Sequence, residues 1–310
     1  MTKRLQNIVS ESRLTLPAVS VYATAVWLAG GLISQSLWLQ FACFAMSAFL
    51  MMALNNRFSL IRIYSRMVSC SFIALSCTYP QTFTSMNETI ATVCVIAMFL
   101  WLFQTYLDRQ SPGLVFYSFL CIGTASVFYV HILFFVPVIW AIMIFFLSSI
   151  SWKSFLASII GLILPYWFLS AYMIYSDQLY FFIEHFSQLG VFGKIADYST
   201  ISTGQIIVAV LITALMITGS IHYNRTRMDD KIKTRMLYNC FITTDIAAAV
   251  FLILQPQHYD MLIRIMVVNT SPLTGHFLSL THTRITGMTF YAIVVCTTAI
   301  TALNLWVLWQ

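Results

Sequence analysis

Apolar residues run through this chain in long unbroken stretches separated by short polar turns. An α-helix needs about 20 apolar residues to cross a hydrocarbon layer about 30 Å thick. Backbone in lipid must satisfy its own hydrogen bonds, which leaves helices or a closed barrel. Barrel strands alternate polar and apolar residues, and these runs do not. Helical spans are therefore expected at 16–34, 37–54, 67–84, 89–107, 113–131, 132–150, 155–176, 205–222, 236–254, 259–280 and 287–309. Residues 113–150 contain no polar break, which predicts a tight hairpin at His131. The segment 259–280 contains Arg264, Asn269, Pro272 and His276, and reads as a full span, a re-entrant segment or a broken helix. The expected fold is an all-α polytopic transmembrane bundle of about eleven spans, a single integral membrane domain over 1–310.

Charge fixes the orientation. Cytoplasmic loops are enriched in Lys and Arg. With the N-terminus inside and the C-terminus outside, fourteen of the 16 basic residues fall on the inner side. They are Lys3, Arg4, Arg13, Arg57, Arg62, Arg66, Arg109, Lys153, Arg225, Arg227, Lys231, Lys233, Arg235 and Arg284. Lys194 falls outside and Arg264 within a span. Trp38, Trp152, Trp306 and Trp309 fall near span ends, where aromatic rings settle at membrane interfaces.

Composition agrees. Charged residues are 8% of the 310, against roughly 25% in an ordinary soluble domain, and hydrophobic residues are 60%. The mean hydropathy is +0.84. Such a chain is neither disordered nor a small disulfide-stapled secreted domain. Its net charge of +6 reflects the inner loops and suits anionic lipid headgroups rather than nucleic acid. The 7 cysteines all lie inside predicted spans and show no metal-ligand spacing. No P-loop, HExxH or GxSxG occurs, so neither a metal nor a cofactor is predicted.

Two loops stand out. In 177–204, an outer loop, Leu179, Phe182, Ile183, Phe186 and Leu189 recur at helical spacing, with Phe181 on the opposite arc. This predicts an amphipathic helix in the membrane interface. As a lid, it would instead bring Glu184 and His185 together as an acid–base pair, with Asp197 beyond Gly190 and Gly193. The inner loop 223–235 is the most charged stretch. It reads as a topology anchor, or as a docking patch for a partner or anionic lipid.

Ionisable groups at membrane depth mark functional sites by default. Asp245 and Arg264 lie on consecutive antiparallel spans at comparable depth, and are expected to pair. Asp260, four residues from Arg264 on one helix face, is the rival partner. With His258, these residues form the expected mouth of an outward cavity where Arg264 binds an anionic group. Pro272, with Asn269 and His276 nearby, marks the expected discontinuity, read as a kink that improves packing or as the broken helix that lines substrate sites in transporters.

From Asn55 to about Leu189 the chain runs LNNRFSLIRIYSR, TYPQTF, MNETIATV, LDRQSPG, FLCIGTASVFYVHILFFVPVIW, SWKSF and IGLILPYWF. This layout resembles a family of bacterial polytopic inner-membrane proteins of unassigned activity. The resemblance implies an inner-membrane location and supplies no catalytic residues. The hairpin, basic turn and Gly/Pro span also look, more distantly, like the middle of membrane glycosyltransferases that use polyprenyl-phosphate sugars. Those enzymes place acidic residues in a sizeable first outer loop. Here that loop, SQS at 34–36, is short and has no acid, and Glu88 stands in the second.

Three functions are carried forward. The first is a carrier or envelope-assembly component for an anionic or lipid-linked solute, bound by Arg264, Asp245, Asp260, His258 and His276. The second is a lipid-dependent glycosyltransferase with Glu88, Glu184, His185 or Asp197 as its catalytic groups. The third is a non-catalytic scaffold for membrane-protein partners.

Overall fold

The computed structural model describes residues 5–177, 179–193, 195–199, 201–281 and 284–310, and all regular structure among them is helical. The helices are α1 (Leu5–Glu11), α2 (Thr15–Ala29), α3 (Trp38–Phe58), α4 (Met67–Ser76), α5 (Met86–Leu102), α6 (Pro112–Phe128) and α7 (Val136–Phe145). They continue as α8 (Trp152–Tyr175), α9 (Leu179–Ser187), α10 (Thr203–Thr226), α11 (Ile232–Leu254), α12 (Tyr259–Leu280) and α13 (Arg284–Leu308). Short 3-10 turns at Pro80–Thr84, Val130–Phe135 and Pro256–His258 lie between consecutive helices.

A helix bearing Asp260, Arg264, Asn269, Thr270, Ser271 and His276 would be costly against lipid. α12 is accordingly the axle of the bundle. Of its 22 residues, all but Asp260 and Arg264 are buried. α4, α10, α11 and α5 wrap it. Its polar side chains bond inside: Asn269 donates to the Ile265 carbonyl at 2.9 Å and Ser271 to the Val267 carbonyl. Close wrapping needs small residues. A Cβ on Gly275 would lie 2.9 Å from the Val68 nitrogen, and one on Gly219 2.9 Å from Leu273 Cβ. In the outer layer α6 and α8 meet at Gly123 and Gly161, where added Cβ atoms would lie 2.7 and 2.6 Å from facing carbonyl oxygens.

Among the described residues, six helical stretches are long and apolar enough to cross a membrane: Trp38–Phe58, Met86–Thr105, Trp152–Tyr175, Thr203–Asp229, Ile232–Leu254 and Thr286–Leu308. Four further apolar helices have 10–17 residues, short of the length a full span needs. The expected set of eleven full-length spans is not reproduced, because the backbone breaks the apolar runs. Residues 67–84 become α4 and a 3-10 turn beginning at Pro80. Residues 113–150 become α6, the turn holding His131, and α7. By contrast 259–280 is one continuous helix that absorbs Pro272. The expected discontinuity there does not occur.

Long-range contacts sort the turns to two ends. At the basic end Arg57 donates to Gln104 at 2.6 Å, Arg62 meets Asp229 at 3.1 Å, and the Leu107 amide bonds the Leu147 carbonyl at 2.8 Å. At the far end Trp309 donates to the Ala29 carbonyl at 2.9 Å, Gln81 to the Asn304 carbonyl at 3.1 Å and Tyr259 to the Gln205 carbonyl at 2.8 Å. Lys3, Arg4 and Lys194 lie outside the described residues, as do the side chains of Leu179, Phe181 and Arg284. In α9, Phe182 and Phe186 rest on the Tyr166 ring, with centroids 6.2 and 4.9 Å away.

Candidate functional site

Arg264 stands one turn beyond Asp260 on α12 and reaches across the far end toward α5. Its guanidinium donates to Thr89 Oγ1 at 3.1 Å and to the Thr82 carbonyl. Its Nε lies 4.0 Å from Glu88 Oε2, with the side chains 17% and 19% exposed. That gap is too long for a direct hydrogen bond. Arg264 Nε, Glu88 Oε2 and Asp260 Oδ1 are buried and find no partner among the described residues. An unpaired buried donor or acceptor costs about 1–3 kcal/mol, which Arg264 and Glu88 offset in part by standing 4.0 Å apart as an ion pair.

Beside Arg264 lies a cavity of about 40 Å³, room for roughly three waters. Trp27, Phe44, Phe72 and Phe83 line much of it, Ser47, Thr78, Tyr79, Thr82, Thr89 and Thr92 another part, and Arg264 is the only charged residue in its wall among the described residues. The Ser47, Thr78, Thr82, Thr89 and Thr92 hydroxyls donate to backbone carbonyls of their own turns, so the guanidinium is the donor here that suits an oxyanion.

Next to it the 3-10 turn after α6 brings Tyr129 and His131 against His258. The His131 and His258 ring centroids are 4.0 Å apart, and Tyr129 stands edge-on to His258 at 5.9 Å. His131 bonds the Gln188 carbonyl at 3.1 Å, which ties the turn after α9 to this cluster. Burial first, and the facing His131 second, push His258 down to about 4. Tyr129 lies within electrostatic reach of Glu88 and Asp260, and its buried hydroxyl has no partner among the described residues. An apolar groove of about 730 Å³ leads away between α7 and α11, lined by Phe134, Val138, Val250 and Phe251 among others. Phe251 and Phe134 touch the two histidine rings at its upper end.

In comparisons with protein-family models, curated proteins and solved structures, nothing matched the chain.

The expected residues do not form one site. Asp245 does not pair with Arg264; its Oδ2 accepts from Thr270 Oγ1 at 2.7 Å. The α11–α12 hairpin register sets Asp245 opposite Thr270, while Arg264 turns toward α5. His276 lies near the basic end, bonded to Asp230 at 3.0 Å. Only His258, Asp260 and Arg264 share the far-end mouth. Of the alternative catalytic set, only Glu88 is there. His185 is held by the Ser126 carbonyl at 3.0 Å, while Glu184 on the same helix is exposed, and the two form no acid–base pair. Asp197 accepts from the hydroxyl and amide of Ser199, which hold its carboxyl below the usual range and use it as a turn brace.

The sequence reading missed Thr82, Thr89, Tyr129 and Asp230. Thr89 had a signal, since it follows Glu88 at the start of a span. Asp230 had a weaker one, as one of two acids in a basic turn. Nothing in the linear pattern distinguishes Tyr129 from other interfacial tyrosines.

Proposed function

We propose that this protein is a multi-pass inner-membrane carrier or envelope-assembly component that binds an oxyanion at Arg264. The carrying observation is the Arg264 guanidinium: among the described residues it is the one charged group of the cavity wall, and its Nε makes no hydrogen bond. The anion would take this Nε donor. With the basic end in the cytoplasm, the site opens outward. The groove between α7 and α11 would seat the hydrocarbon tail when the anion is the headgroup of a lipid-linked solute.

One observation favours the glycosyltransferase reading. Glu88 stands at the mouth with a free buried oxygen, where a base or metal-binding carboxylate could act. The two readings predict opposite effects of one substitution. If Arg264 binds the anion, Glu88→Gln removes a competing negative charge and tightens binding. If Glu88 is catalytic, the same change abolishes turnover.

Calorimetric titration of the purified protein with inorganic pyrophosphate, and with nanodiscs containing phosphatidic acid, tests the reading. Arg264→Gln should weaken binding at least tenfold, or about 1.4 kcal/mol. Response to pyrophosphate alone identifies a free solute, and response to phosphatidic acid alone a lipid-linked one. Equal binding by wild type and Arg264→Gln refutes the site.

A further inference from the structure

The other end of α12 holds a second buried ionisable group. His276 lies about 18 Å along the helix axis from Arg264. Its Nε2 is 3.0 Å from Asp230 Oδ2, with the side chains 0% and 2% exposed. Asp230 belongs to the turn between α10 and α11, so the pair fastens that turn to the axle. His222 and Tyr223 on α10 face the imidazole, with centroids 5.6 and 5.3 Å away, and Tyr238 on α11 faces it at 5.1 Å. The surrounding charges are Arg227, Asp229 and Arg235, with Arg62 from the α3–α4 segment. α4 with its leading segment, and α1, bring neutral groups: Ser65 beside Ser279 and Gln6 on the Leu278 carbonyl. His282 lies outside the described residues.

Three buried atoms here have no partner among the described residues: His276 Nδ1, His222 Nε2 and the Tyr223 hydroxyl. His276, Tyr223 and Tyr238 are fully buried, so the cluster is packed too tightly around His276 for a solute. His222 is partly exposed and stands between this pocket and the surface.

We infer that His276 is a proton-binding site, with Asp230 as counter-ion and His222 as the route to water, and that its occupancy sets how firmly the α10–α11 turn grips α12. Neutral His276 donates Nε2–H to the Asp230 carboxylate and keeps an unshared lone pair on Nδ1. One proton from hydronium at the surface, passed through His222, binds that lone pair. The hydrogen bond becomes an ion pair, and charge-assisted bonds of this kind are roughly twice as strong. Release is the reverse, and no other bond forms or breaks. The site does not depend on any anion at Arg264.

Ring ¹⁵N shifts of histidine-labelled protein in bilayers, followed from pH 5 to 8.5, test this. One imidazole should titrate and be missing from His276→Gln, whose amide can still donate to Asp230. A through-space correlation to the Asp230 carboxyl assigns the same imidazole in the wild type, independent of that variant's folding. Amide exchange across residues 227–231, corrected for intrinsic rates, should quicken at least threefold as it deprotonates, and lose this step in His276→Gln. An imidazole that keeps one charge state across the range overturns the proton site. Identical exchange in the two proteins overturns the grip.

Discussion

Arg264 pays for its depth with an incomplete set of partners. Thr89 and the Thr82 carbonyl take two of its nitrogens, and Glu88 stands 4.0 Å from the third. Replacing it with Met should lower stability by about 1–3 kcal/mol, because Glu88 and Asp260 lose their cation; residual solvent access keeps this below the cost of a fully buried pair. Asp245 belongs to a different circuit. Thr270→Val removes its hydrogen bond and should cost about 1–2 kcal/mol. In double-mutant cycles Asp245 and Thr270 should couple, whereas Asp245 and Arg264 should be additive. Measured coupling between Asp245 and Arg264 would contradict this arrangement. His258 gives a pH signature. Its proton affinity is depressed in the folded protein, so the unfolded chain binds the extra proton. Stability is therefore full above about pH 6.5 and falls as the pH drops toward 4. The loss should be on the order of 1–2 kcal/mol after allowing for solvent screening of a half-exposed ring. His258→Gln should flatten the thermal midpoint between pH 7 and 4.5.

Among the elements, α12 explains both what the sequence disclosed and what it hid. Its polar residues announced a special segment, and burial of all but Asp260 and Arg264 gives the reason: a helix of this composition is tolerated only at the centre of a bundle. Sequence could not show that it stays continuous through Pro272, because tertiary wrapping by α4, α10 and α11 decides that. That α4 stops at Ser76 did have a signal, since Thr78, Pro80, Gln81, Thr82 and Thr84 end the apolar run that the expected span 67–84 carried through. Asp245 and Arg264 looked comparably deep along the chain, but pairing also depends on rotation about each helix axis. Glycine approach distances make the packing testable. Gly275→Val must push against Val68 backbone and Gly161→Leu against Phe116 backbone. Each should lower stability by at least about 1–3 kcal/mol, while Gly113→Ala, which meets nothing within 4 Å, should cost almost nothing beyond propensity. Equal tolerance at all three positions would contradict the helix contacts.

At the scale of the whole molecule, two chemistries occupy opposite ends of one buried helix. The basic turns, the Arg62–Asp229 contact and the His276–Asp230 pair lie at one end. Arg264, Glu88, Asp260 and the His131–His258 contact lie at the other. The charge asymmetry of the loops was legible in the sequence, because basic residues need only be counted. The grouping of Glu88 with Arg264 was not, because 176 positions separate them and only folding brings α5 beside α12. The most direct measurement is labelling of whole cells with a membrane-impermeant maleimide. Single cysteines would replace the exposed residues Gln257 and Met228 in a cysteine-free background. Position 257 should react from outside, and position 228 only after the membrane is permeabilised. Reaction of both from outside, or of 228 alone, would contradict an outward-facing anion site above a cytoplasmic basic face.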